Sequence, residues 1–119
     1  MASPNTNAFQ PTGLSYALSV GATTVNVTPV GFNSGSGNIQ VYNSGTNPVL
    51  VYFYPSAVSG GSVPLTFPVT GTPPAGQFGT VVAPGATLVF GISANADSLA
   101  AIGSAAGPAI LYFQRGDGI

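Results

Sequence analysis

Ile39-Gln-Val-Tyr-Asn43, Ser44-Gly-Thr-Asn-Pro48 and Val49-Leu-Val-Tyr-Phe-Tyr54 run without a break and carry the clearest structural signal in the chain. Two runs rich in β-branched and aromatic residues flank a segment of turn formers, the local pattern of two strands joined as a β-hairpin with a longer loop. Pairing Asn43 with Val49 sets Val41 opposite Val51 and Ile39 opposite Phe53, which makes one face plain core. The other face then carries Gln40, Tyr42, Leu50, Tyr52 and Tyr54. Tyrosine suits surfaces that are apolar at one end and wet at the other. This second face is therefore expected either to lie beneath another layer or to meet another molecule.

Period-two alternation continues on both sides of this stretch. Leu14, Tyr16, Leu18 and Val20 alternate with Ser15, Ala17 and Ser19, and Thr24, Asn26 and Thr28 alternate with Val25 and Val27. These two strands are expected to pair as a hairpin across Gly21 and Ala22, with Gly31 to Asn38 as a glycine-rich loop. Val63, Leu65, Phe67 and Val69 alternate with Pro64, Thr66 and Pro68. The two prolines remove donors on the same side of a strand, so residues 63–69 are expected to form an edge that pairs through odd-numbered positions only. After a long loop from Gly71 to Gly79, Thr80–Ala83 and Thr87–Ile92 flank Pro84-Gly85, a pair suited to the centre of a type II turn and to a further hairpin. Leu99–Ile102 and Ile110–Gln114 complete the set; Asp97 before an alanine-rich run offers a helix cap as the alternative, but strand is preferred. About eight short antiparallel strands with frequent turns predict an all-β fold, a two-sheet sandwich or jelly roll. Residues 1–13 read as an extended N-terminal arm in which Phe9 is the one large apolar side chain after Met1, and residues 14–119 as a single domain.

The chain has 119 residues and only three charged side chains, Asp97, Arg115 and Asp117, or 3% where ~25% is usual. Hydrophobic residues nevertheless make up 45%, an ordinary share, and β-branched and aromatic residues are plentiful, which excludes intrinsic disorder. The longest unbroken apolar run, Val49 to Tyr54, is far short of the ~18 residues of a spanning helix, so no membrane partner is expected. The residues after Met1 lack the basic region and apolar core of a signal peptide, and none is expected. Asn26-Val27-Thr28 matches a glycosylation sequon, but its plainer reading is the polar face of a strand.

This composition also narrows the chemistry. A Ser or Thr nucleophile needs a base, and the chain holds no His and no Lys. Asp97 and Asp117 are the one carboxylate pair available for acid–base work or a hard cation, and as two loop aspartates they read better as turn residues. Zinc and iron sites lack ligands, and a single Arg cannot neutralise a phosphate backbone. No catalytic, cofactor-binding or metal-ligating residue is assigned, no cofactor is expected, and nucleic acid is not an expected partner. Arg115-Gly116-Asp117 spells the tripeptide displayed by integrin ligands, but next to the C-terminus it reads as a solvated tail with a glycine turn. What remains is contact: Phe9, Tyr42, Leu50, Tyr52 and Tyr54 are the candidate interface residues.

The segments Gly-Ala-Thr-Thr-Val-Asn-Val at 21–27, Ile-Gln-Val-Tyr-Asn-Ser-Gly-Thr-Asn-Pro-Val at 39–49, Val-Ala-Pro-Gly at 82–85 and Leu-Tyr-Phe-Gln-Arg-Gly at 111–116 resemble those of the small capsid decoration, or cement, proteins of tailed bacteriophages. The resemblance implies a β-sandwich or jelly roll on the outer surface of the virion head. There it would bridge neighbouring major capsid protein subunits and meet copies of itself as a homo-oligomer. It brings no catalytic residues. A chain this poor in charge departs from many soluble decoration proteins, which keeps a second reading open: a tail or fibre module that binds a host glycan or surface protein. Independently of the resemblance, a neutral β domain has little to keep it dispersed as a monomer, and life within an assembly removes that difficulty.

Overall fold

The computed structural model describes residues 10–28, 37–55, 63–68, 71, 79–91, 96–105 and 109–117. Residues 1–9, with Phe9, most of the glycine-rich loop before Asn38 and most of the loop from 71 to 79 lie outside them. Eight strands are present among the described residues: β1 (Gln10–Val20), β2 (Val25–Val27), β3 (Asn38–Asn43), β4 (Val49–Tyr54), β5 (Thr80–Val82), β6 (Thr87–Gly91), β7 (Ser98–Gly103) and β8 (Ala109–Asp117). They form two four-stranded antiparallel sheets, ordered β1-β8-β3-β6 and β2-β7-β4-β5. First pairs with last, second with seventh, third with sixth and fourth with fifth, which is the connectivity of a jelly roll. The all-β, two-sheet expectation is met. β1 starts earlier than alternation indicated: Gln10 and Pro11 pair with Asp117 and Gly116, and a register shift separates them from Ser15 onward. Residues 10–13 thus run in the sheet and not in an arm.

Strand pairing corrects the hairpins. β3 and β4 do not pair; they lie in opposite sheets, as do β1 and β2, and β5 and β6. Every connection except that from β4 to β5 passes between the sheets. The turn chemistry is nonetheless as read. Gly85 has φ 76°, and the Ala86 N–H donates to the Ala83 carbonyl at 3.0 Å, as a type II turn over Pro84-Gly85 requires. The turn makes a corner because its two strands are claimed by different neighbours.

Burial explains the claims. β3, Asn-Ile-Gln-Val-Tyr-Asn, alternates buried Ile39, Val41 and Asn43 with more accessible Asn38, Gln40 and Tyr42, the pattern of a strand wet on one face. β4, Val-Leu-Val-Tyr-Phe-Tyr, is apolar on both faces and needs cover on both. It pairs with β7, which is buried along its whole length, at the centre of the other sheet. Between the sheets Ile39, Val41, Val49, Val51, Leu99, Leu111 and Phe113 form the main core. Each such aliphatic side chain contributes about 1.5–3 kcal/mol on burial.

A second, smaller core lies outside the β2-β7-β4-β5 sheet, where Leu50, Tyr54, Ala100 and Ile102 are covered by Leu65, with Val63, Phe67 and Tyr52 at its margin. Residues 63–68 are therefore a strap and not the edge strand expected of them. Their alternation survives: Val63, Leu65 and Phe67 turn inward, and Pro64, Thr66 and Pro68 are exposed. The odd-numbered donors are also used on one side, but side chains of and beside β2 replace a ladder. Val63 N–H donates to Asn26 Oδ1 at 2.8 Å, Leu65 N–H donates to Thr24 Oγ1 at 3.1 Å, and the Thr24 hydroxyl donates back to the Leu65 carbonyl. Alternating prolines leave too few donors for a continuous ladder, while two bonds to polar side chains suffice to seat the strap.

The corner end of the sandwich is stitched by backbone bonds. Gly103 N–H reaches the Gly21 carbonyl, Ser104 N–H the Pro48 carbonyl and Ser44 N–H the Ile110 carbonyl, at 2.7, 3.1 and 3.0 Å. Gly45 sits so close to β8 that a Cβ there would fall 2.5 Å from the Ala109 Cβ. The corner following β3 thus admits no side chain at that position.

Candidate docking face

The expected aromatic interface is divided by the fold. Leu50 and Tyr54 are 3% and 1% exposed beneath the strap, which corrects their placement on a docking face. Tyr52 stacks on Tyr54, with ring centroids 5.9 Å apart, and is half-buried at the margin of the second core. Phe9 lies outside the described residues. Tyr42 alone of the described candidates is exposed, and it projects from the other sheet.

Register supplies the neighbours that the sequence reading did not pick out. On the outer face of the β1-β8-β3-β6 sheet, one row across the strands reads Ala17, Tyr112, Tyr42, Thr87, and the adjacent row Ser15, Gln114, Gln40, Val89. Tyr42 and Tyr112 are stacked, with centroids 6.4 Å apart and planes at 20°. They are 40% and 47% exposed, and Val81 is the one further large apolar residue so exposed among the described residues. Ser15, Gln40, Tyr42, Tyr112, Phe113 and Gln114 line a shallow depression of about 130 Å³. That is well below the ~300 Å³ at which enclosed small-molecule pockets begin. The face is a surface for contact and not a pocket. Its signal was available in β8, where Ile110, Tyr112 and Gln114 alternate with Leu111, Phe113 and Arg115. Only pairing with β3, however, brings Tyr112 beside Tyr42.

The described charges lie elsewhere. Arg115 is 2% exposed, shares the inward parity of Leu111 and Phe113, and donates from Nη2 to the Ala96 carbonyl at 2.9 Å. Burial pushes its guanidinium pKa down. The Arg-Gly-Asp tripeptide is accordingly no solvated tail and no displayed adhesion loop; its Arg and Gly belong to the interior of β8. The Asp97 carboxylate accepts from the Ser98 hydroxyl at 3.2 Å beside the opposite sheet. The side chain of Asp117 lies outside the described set, and so does the geometry of the Asp97–Asp117 pair. Among the described residues no cluster of three metal-ligating side chains occurs.

The sequon asparagine is committed inside the protein. Asn26 Oδ1 accepts from the Tyr54 hydroxyl at 2.9 Å as well as from Val63 N–H, while Ser98 Oγ and Thr28 Oγ1 lie 2.7 Å apart. Burial raises the Tyr54 phenol above its ordinary 10.0; the Ser98 hydroxyl opposes this and the Asp97 carboxylate adds to it. A raised phenol pKa means that the unfolded chain releases this proton first. Its stabilisation is therefore complete below about pH 10 and is lost as pH rises toward the folded value. Tyr54→Phe is expected to cost about 1 kcal/mol at neutral pH, since Asn26 keeps its bond to Val63. In thermal melts the wild-type advantage over Tyr54→Phe should shrink above about pH 10. A gap that stays constant to about pH 11 contradicts the assignment.

No protein-family model matches the chain, and none of the curated proteins matches it. Among solved structures it is similar to one described as "Bacillus endospore appendages form a novel family of disulfide-linked pili", at 18% identity and a TM-score of 0.43, over 98% of this chain and 95% of that one. A likeness of this depth carries no functional argument, and the present chain contains no cysteine.

Proposed function

We propose that this chain is a non-enzymatic virion structural protein that binds the outside of a phage head shell and cements contacts between capsid subunits. The observation that carries this reading is the disposition of charge: the single cationic side chain is buried, in a protein whose sheets end in β1, β2, β5 and β6, of which only β1 carries a proline, Pro11. Val-Asn-Val, Thr-Val-Val and Thr-Leu-Val-Phe-Gly contain no charge and no proline. Freely dispersed proteins usually guard sheet ends with such residues, because unpaired strand edges recruit other chains. Within a shell those backbone groups and apolar side chains find permanent partners in the major capsid protein and in neighbouring copies of this chain.

Attachment of this kind depends little on ionic strength, since screening acts on exposed charges and few are present. A protein that binds only the assembled shell stabilises it by mass action, by about 2.7 kcal/mol per site at a free concentration 100 times its Kd. Heating shells with and without the protein, at low and high salt, while following genome release provides the test. Shells with the protein are expected to rupture at higher temperature under both salt conditions. Equal rupture temperatures contradict cementing, and detachment at moderate salt contradicts the apolar mode of attachment.

A further inference from the structure

The geometry points to a binding site for neutral oligosaccharide on the outer face of the β1-β8-β3-β6 sheet, with Tyr42 and Tyr112 as the stacking platform and Gln40, Gln114 and Ser15 as its polar margin. A pyranose ring presents an apolar C–H face edged by hydroxyls. It is matched by an aromatic surface bordered by groups that both donate and accept hydrogen bonds. Here the two rings stand on neighbouring strands, within 20° of parallel, at 6.4 Å. In the adjacent row Gln40 pairs in register with Gln114, and Gln114 with Ser15. Each amide offers a carbonyl acceptor and two N–H donors, and the serine hydroxyl serves in either sense. These five residues, together with Phe113, line the depression on this face.

Magnitude and charge select this occupant over another protein. Tyrosines that bury at most 150–250 Å² each, and are already more than half covered, leave on the order of 200 Å² of aromatic surface. A standard protein interface buries about 800 Å² per partner, of which about 450 Å² is apolar. Around the pair Ser15, Ser19, Gln40, Thr87 and Gln114 are polar, and Ala17 with the half-buried Val89 and Ile110 extends the apolar patch only modestly. Arg115 points into the core and Asp97 lies beside the other sheet, so no described charged side chain favours an ionic ligand here. An aromatic island in a neutral amide and hydroxyl surround suits a neutral sugar chain lying across the strands.

The experiment uses the free full-length chain, so its outcome is separable from that of shell binding. Isotope-labelled protein is titrated with cellohexaose, maltohexaose and chitohexaose in turn, and backbone amide signals are followed. At least one probe is expected to shift the signals of residues 40–42 and 112–114 while leaving the strap at 63–67 unmoved. Tyr112→Ala and Gln40→Ala, both on this outer face, should keep the melting temperature near that of the wild type. Tyr112→Ala should weaken the interaction about tenfold or more. The inference is overturned if none of the three sugars perturbs these residues, or if both variants bind as the wild type does. It is equally overturned if sedimentation shows that this face holds a dimer that Tyr112→Ala dissociates.

Discussion

Replacing Asn43 by alanine is expected to lower the stability of the folded chain by about 3–5 kcal/mol, because three hydrogen bonds converge on this one buried amide. Its Nδ2 donates to the Asn47 and Val82 carbonyls at 2.9 and 3.0 Å, and its Oδ1 accepts from Gly45 N–H at 2.9 Å. The side chain is fully buried, and its own backbone exchanges bonds with Gly85 and Ala86 in the neighbouring corner. Asn43 thus ties the corner after β3 to the end of β5 and to the turn before β6. Truncation leaves the buried carbonyl of Val82 and the part-buried N–H of Gly45 without their partner, and a fully buried orphan costs about 1–3 kcal/mol. Against a total of about 5–15 kcal/mol for a domain, the loss should lower Tm by on the order of 10–20 °C. Asn43→Asp should fare no better, since an oxygen would then face two carbonyls. A loss below about 1 kcal/mol for Asn43→Ala in denaturant unfolding means that the corners are not clasped through this residue.

Leu65→Asp is expected to release the strap while sparing the sandwich. Burying the leucine contributes about 1.5–3 kcal/mol, and a carboxylate in its place meets Leu50, Tyr54 and Ile102, where it cannot remain without solvation. The expected cost is about 3 kcal/mol, limited by that of undocking residues 63–67, because the main core between the sheets shares no residue with the second. Hydrogen exchange should accelerate at the Val63 and Leu65 amides and remain slow in β3 and β8. Newly exposed Leu50 and Ile102 should increase binding of an apolar dye. If β3 and β8 exchange as fast as the strap, the two cores unfold as one and the separation drawn between them is wrong.

Much of this molecule is local, and what is local was legible. Alternation along β1, β3 and β4 assigns Tyr16, Leu18, Val20, Ile39, Val41, Val49 and Val51 to the interior, because successive side chains of a strand face opposite ways whatever the strand pairs with. Pro84-Gly85 specifies its turn for a similar reason: one residue has its φ preset and the next tolerates a positive one. The prolines at 64 and 68 restrict that segment to bonding on one side, which holds even though the bonds go to Asn26 and Thr24 and not to a strand.

Pairing was not legible, since a turn can close a hairpin or round a corner with the same residues. Tertiary structure decided between them by cover: β4 and β7, apolar on both faces, shared the sheet that the strap closes, while alternating β3 and β8 shared the sheet with one wet face. The same choice divided the candidate aromatic residues, sending Leu50 and Tyr54 under the strap and leaving Tyr42 in the open beside Tyr112. Arg115 followed as well, drawn inside because its position in β8 has the parity of Leu111 and Phe113 and because the Ala96 carbonyl was there to receive it. The sequence by itself determined which way each side chain faces, a property of period two within a strand; only the assembled sheets decided what lies opposite it, since that depends on neighbours remote in the chain.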